Sequence, residues 1–170
     1  MYLNRIKELL LQLKVAYSEA NVFPCNEHEV QELERAVGLK LPAAYKEFLL
    51  WAGHGAGWLM EGSRFYYDDL LAIQETAREM LQENESPDKL PDDAFVFWSH
   101  QGYQFSFFRT SQGDDPPVHH YCEGENNEKL IIAKQRSFTR FLEVEIEDHA
   151  RLRDETQEIR DRMARDWTRG

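Results

Sequence analysis

The sequence predicts an α+β domain in which N-terminal helices pack on an antiparallel sheet of about four to six strands and a long C-terminal helix closes the chain. Three observations carry this reading. Apolar residues recur at helical spacing from Leu3 to Ala52, before any run of strand character appears. Two aromatic-rich runs, residues 95–98 and 103–108, then face each other across a polar turn. Helices and strands do not alternate one for one, which argues against a parallel doubly wound sheet.

Leu3, Ile6, Leu9, Leu10, Leu13 and Tyr17 share one face, so residues 3–17 read as an amphipathic helix. Asn26 followed by Glu29 is a capping arrangement, and Val30, Leu33 and Val37 form a second helical stripe that Gly38 stops. Pro42 suits a first helical position, because its ring presets φ and its missing N–H costs nothing there. Tyr45, Phe48, Leu49 and Ala52 repeat as one apolar stripe, after which Gly53, Gly55 and Gly57 supply the left-handed freedom that ends a helix. Residues 58–60 and 64–67 read as short strands or a hairpin around Gly62. Asp68 or Asp69 then caps a helix carrying Leu70, Ile73, Ala77 and Leu81. The charged, proline-punctuated residues 82–93 read as a solvated loop.

The runs 95–98 and 103–108, joined by the turn 99–102, are the expected centre of the sheet. A turn over 112–117, a strand over 118–122, a turn over 124–127 and a strand over 130–133 extend it as a meander. From Ser137 a long helix begins, anchored by Phe138, Phe141 and Leu142, with Glu147 spaced for Arg151 and Glu158 for Arg162. Leu152, Ile159, Met163 and Trp167 leave a sparse apolar stripe on its far half, expected to dock on the same chain.

At 170 residues and 42% hydrophobic, the chain can bury one sizeable core, so a single domain is expected. Twenty Lys and Arg against 31 Asp and Glu give a formal charge of −11, which repels nucleic acid and anionic lipid and favours a basic partner. No apolar run reaches the ~18–20 residues of a membrane span and no signal-peptide pattern opens the chain, so a cytoplasmic location is expected. Cys25 and Cys122 lie far apart and form no CxxC, so neither a disulfide scaffold nor a zinc ribbon is indicated; spacing does not say whether the two meet in space.

Candidate chemistry is sparse. His119, His120 and Cys122 are zinc-ligand types, but neighbouring strand residues point to opposite faces, so only His120 and Cys122 share one and no metal site is assigned. His54 and His100 have no nucleophile elbow and no acid fixed by local spacing. Gly53, Gly55 and Gly57 follow a helix instead of leading into one, and no P-loop lysine accompanies them. No catalytic residue and no cofactor is assigned. Glu34 reads as a structural brace that accepts backbone N–H bonds at the turn between two helices.

The order Glu34, Gly38, Leu41-Pro42, Tyr45, Phe48-Leu49, a glycine cluster from Gly53 and then Trp58 resembles the motif of the SUKH superfamily. A looser likeness continues through residues 95–108 and Ser137-Phe138-x-x-Phe141-Leu142, and Ala52-Gly53 departs from the usual Asn-Gly. That superfamily includes bacterial toxin-immunity proteins and a fungal regulator of cell-wall synthesis. The resemblance implies one domain over 1–170, with residues 1–20 as an N-terminal helix, 24–148 as the family core and 149–170 as a helical extension. It further implies a non-catalytic immunity protein that binds and neutralises a cognate polymorphic toxin domain by occlusion. A regulatory adaptor of the fungal kind is the alternative.

A nuclease with a basic substrate cleft is a target class that the acidic charge suits. Trp58, Tyr66 and Tyr103 are the candidate aromatic anchors for such a partner, and Asp68, Asp69, Asp114 and Asp115 the candidate carboxylates. Each also has a plainer reading as core, cap or turn. The expected partner is a basic toxin protein, with no direct nucleic acid and no membrane, on a monomer or weak homodimer.

Overall fold

Four antiparallel strands lie in chain order as a meander: β3 (Ala94–His100), β4 (Gln104–Arg109), β5 (Val118–Cys122) and β6 (Ile131–Gln135). This computed structural model describes residues 1–16, 18–124 and 131–167, without the side chains of 131–132 and 161–167. Tyr17, the turn beyond Gly124, Leu130 and the side chains of Arg162, Met163 and Trp167 therefore lie outside the described residues.

A bulge between Val96 and Trp98 shifts the β3–β4 register so that Phe95 opposes Phe108 and Trp98 opposes Ser106. Phe95 and Phe97 both stack on Phe108, with ring centroids 5.6 and 5.3 Å apart. This face meets Tyr45 of α3 (Ala43–Ala52) and Phe138 and Phe141 of α5 (Phe138–Trp167). Phe105, Phe107 and Tyr121 stack on the other face, where Asn84, just past α4 (Tyr67–Glu83), donates to the Tyr121 hydroxyl at 2.9 Å. Buried Gln74 of α4 accepts from the Val96 N–H at 3.0 Å and donates to its carbonyl at 2.5 Å, closing the outer edge of β3. The α+β class is thus observed, with helices against both faces of the sheet.

The N-terminal helix α1 (Asn4–Gln12) is shorter than the predicted 3–17. Lys14 turns left-handed at φ 55, and the Leu10 carbonyl accepts from Val15 and Ala16, which buries both in the core. Next, α2 (Glu27–Val37) opens on a full capping box, Glu29 N–H to Asn26 at 3.0 Å and Asn26 N–H to Glu29 at 2.7 Å, and ends at left-handed Gly38. Pro42 stands at the N-cap of α3, one place before the predicted position.

The glycine run needs a correction. Gly53 is right-handed at φ −63, and glycine is required there for space, because a Cβ would overlap the Cys25 sulfur and stand 2.6 Å from the Leu49 carbonyl. Gly57, at φ 59, does use the left-handed conformation. Between them Gly55–Ala56 (β2) pairs with Val22–Phe23 (β1), a small sheet the sequence reading did not contain.

The predicted strands over 58–60 and 64–67 are also absent as strands. Residues 58–63 turn tightly, with Met60 and Gly62 at positive φ, and only Arg64 bridges to Ser99. Tight turning lets Leu59, Met60 and Phe65 all reach the core. Tyr66, not an aspartate, occupies the N-cap of α4, and Asp68 and Asp69 sit in its first turn, where they complement the helix dipole. That helix runs to Glu83, so the loop predicted from 82 starts at 84.

Helix α5 is capped twice: locally, where Ser137 Oγ accepts from the Arg140 N–H at 3.1 Å, and from a distance, where Asp115 accepts from the Thr139 N–H at 2.9 Å and from its hydroxyl at 2.5 Å. Asp115→Ala is expected to lower stability by about 1–2 kcal/mol in urea unfolding, the usual cost of a lost N-cap. An effect within experimental error would mean the cap contributes nothing.

Phe138, Phe141, Leu142, Ile146 and Ala150 bury the first half of α5. His149 accepts from the Met60 N–H at 3.1 Å, and Arg153 donates to the last carbonyls after α1, Leu13 at 2.9 Å and Lys14 at 3.0 Å. Beyond that, among the described side chains, the predicted docking on the same chain is not seen: Leu152 is 53% and Ile159 48% exposed. Arg151 pairs with Asp148 and Glu155, not with Glu147. Among the described residues, no helix is long and apolar enough to cross a membrane.

Candidate functional site

Glu34 closes the turn between α2 and α3. Its Oε1 accepts from the buried Leu41 N–H at 2.9 Å, while Lys40 reaches Oε2 at 2.9 Å and Lys46 stands 3.6 Å from Oε1. Burial pushes its carboxyl up, but the Lys40 and Leu41 hydrogen bonds and the Lys46 charge outweigh burial and hold it below the ordinary glutamate value. A carboxylate kept ionised and fully engaged on backbone and lysines positions chain; it has no proton to move near neutral pH. Of the other motif residues, Gly38 ends α2, Leu41 and Pro42 lead into α3, and Tyr45, Phe48 and Leu49 are buried on α3.

The residues expected to contact a partner fall at several places in the fold. Tyr103, just before β4, is 38% exposed, and Trp58, in the turn 58–63, is 48% exposed. Ser63, at the end of the turn 58–63, bonds His100 at 2.9 Å, and the His100 ring contacts Tyr103, whereas Trp58 donates its backbone N–H to the Val15 carbonyl at 2.8 Å and lines a groove with His149, Leu152 and Arg153 of α5. Arg64, bridged to Ser99, pairs with Asp69 at 3.2 Å. Asp68, one residue earlier, is exposed on α4.

Tyr66 points inward. Its hydroxyl donates to the Leu59 carbonyl at 2.6 Å and accepts from the Ala56 N–H at 3.1 Å, and burial raises its pKa. Its side chain pins the loop that presents Trp58. Asp114 and Asp115 lie past the far end of β4. Asp114 gives its carbonyl to the Ala44 N–H at 2.9 Å, and Asp115 is spent on capping α5.

The two strand histidines separate as their spacing requires. His119 stacks on Phe107 at 5.0 Å, whereas His120 bonds Ser106 at 3.0 Å and faces Trp98. Burial lowers both pKa values, that of His120 to about 4, and the Lys134 charge adds to the effect on His120. Cys122 ends β5, so His119, His120 and Cys122 do not converge. Cys25 and Cys122 are thiols, not a disulfide.

One cluster was missed from sequence. Cys25, Glu29 and His54 bring a sulfur, a carboxylate oxygen and a ring nitrogen within 4.8 Å of one another, the only such group of metal-binding types among the described residues. The i,i+4 spacing of Cys25 and Glu29 was a readable signal; His54 joins them only because β1 and β2 pair. Burial, then Glu29 and Asp68, pushes the Cys25 thiol up to about 12, and the Asn26 and His54 hydrogen bonds hold the Glu29 carboxyl low.

A family model described as the SMI1 / KNR4 family (SUKH-1) matches residues 24–144. No curated protein matches the chain.

Proposed function

Because the chain belongs to the SMI1 / KNR4 family (SUKH-1), we propose that it is a non-catalytic immunity protein that binds a cognate toxin domain and neutralises it by occlusion. The observation that carries this reading is a formal charge of −11 on a chain that also leaves Trp58 and Tyr103 about half-exposed. Rigid aromatic side chains lose little entropy on docking and bury much area, which is why they dominate protein interfaces. The excess of carboxylates steers a basic partner, such as a nuclease cleft, and accelerates encounter. Asp69, held by Arg64, and exposed Asp68 at the start of α4 supply carboxylates for such a partner. In this reading the protein works in the cytoplasm, as a monomer or weak homodimer.

The test is co-expression with the C-terminal toxin domain encoded by a genomic neighbour, scored by survival and co-purification. Rescue with a stable complex is expected. Trp58→Ala and Tyr103→Ala should each weaken that complex roughly tenfold or more, and association should slow as salt rises. A verified toxic neighbour that is neither bound nor neutralised overturns the reading in favour of a regulatory adaptor. An association rate indifferent to salt removes the charge-steering part.

A further inference from the structure

We infer that Cys25, Glu29 and His54 form a zinc site, a divalent-cation clip that ties the start of α2 to the glycine turn after α3. The donor atoms lie within 4.8 Å of one another, and His54 Nε2 is 3.0 Å from Glu29 Oε1. Zinc at about 2.3 Å from sulfur and about 2.0–2.1 Å from nitrogen or oxygen needs donors nearly four ångströms apart or less, so roughly an ångström of side-chain adjustment closes the set.

The backbone of each donor is already fixed. Cys25 N–H donates to the Leu49 carbonyl at 2.9 Å and His54 N–H to the Phe23 carbonyl at 2.8 Å. Glu29 is held through its other oxygen by the Asn26 N–H at 2.7 Å. Tyr67 packs edge-on against the His54 ring at 5.3 Å and donates its hydroxyl to the Glu29 carbonyl at 3.1 Å. Outer contacts of this kind orient metal ligands.

The Cys25 side chain supports the same conclusion. It is 4% exposed, no hydrogen bond engages its sulfur among the described residues, and the sulfur lies where a Cβ on Gly53 would be. Glu29 and His54 are partly exposed and give a cation access from solvent. Sulfur, nitrogen and oxygen together select a borderline ion such as zinc over magnesium or calcium, which prefer oxygen alone. Glu29 supplies one negative charge and Asp68 a second nearby, and binding transfers the Cys25 proton to solvent as the thiolate forms. A fourth position stays open to water.

Cobalt(II), a spectroscopic stand-in for zinc, tests this on the whole protein without any toxin, so the outcome is separate from that of the immunity reading. One cobalt per chain should bind with a thiolate-to-cobalt charge-transfer band, and zinc should displace it. Cys122→Ser should keep the band and Cys25→Ser should abolish it. His54→Ala should weaken binding at least tenfold, which covers the case in which Cys25→Ser fails to fold. Zinc at a hundred times its dissociation constant should lower the unfolding constant about a hundredfold in the parent protein. Absence of saturable binding, or a charge-transfer band that survives Cys25→Ser or vanishes in Cys122→Ser, overturns the site.

Discussion

Tyr45→Ala should lower folding stability by about 3–5 kcal/mol, while Tyr45→Phe should leave it unchanged or raise it by up to about 1 kcal/mol. The Tyr45 ring is fully buried at the junction of α3, the sheet and α5, with ring centroids 5.3 Å from Phe95 and 5.1 Å from both Phe108 and Phe138. Removing it leaves a cavity that several elements would have to fill at once, and close-packed neighbours relax only in part. The hydroxyl is a different matter. It is buried without a hydrogen-bond partner among the described residues, and burial drives its pKa well up. An unsatisfied buried hydroxyl carries a desolvation penalty, so its deletion removes a cost while keeping the ring contacts. Urea unfolding of both variants decides the matter. A loss above about 1 kcal/mol in Tyr45→Phe would show that the oxygen makes a bond this packing does not contain.

The helices α2 and α3 were legible because their signals are local: a capping box at Asn26 and Glu29, a stripe at Tyr45, Phe48, Leu49 and Ala52, and a terminal Gly38. The meander was legible for the same reason, since aromatic runs and turns alternate along it. What failed depends on contacts between distant segments. The chain turns tightly over 58–63 because Leu59, Met60 and Phe65 must all reach the core, a demand that a window of strand-like residues does not reveal. Gly53 is required by the sulfur of Cys25, twenty-eight positions earlier, and not by its own φ. Asp115 looked like a turn residue and serves, beside Ser137, as a second cap of a helix that begins after two further strands.

The candidate site divides in the same way. Exposure of Trp58 and Tyr103 agrees with side chains that have one apolar body and one polar tip, but their neighbours differ: Tyr103 meets His100, while Trp58 stands beside Val15 and α5. Tyr66 was chosen by the same criterion and faces inward, because its hydroxyl finds a donor and an acceptor in the glycine loop. Residue type suggests an anchor; only the neighbours decide whether it is one.

Acid should destabilise the fold well before its carboxylates titrate, and His120 is the main cause. Its folded pKa is about 4 against an ordinary 6.5, lowered first by burial and then by the Lys134 charge. The unfolded chain therefore binds the proton more readily than the folded one. The stabilisation is complete above pH 6.5, falls as pH drops below it, and is exhausted near pH 4. The separation corresponds to about 3 kcal/mol at most, and partial solvation of the ring reduces it to about 2 kcal/mol. His119 and His149 add to the loss in the same direction, both held low by burial. Glu29, Glu34 and Asp93 are held below their ordinary values, so their contributions are lost only in the more acidic carboxylate range. Two windows should thus be separable by urea unfolding at stepped pH. His120→Gln, which preserves a partner for the Ser106 hydroxyl, should flatten the upper window and leave the lower one alone. If the slope between pH 6.5 and 4 is the same in His120→Gln as in the parent, His120 is not the group responsible.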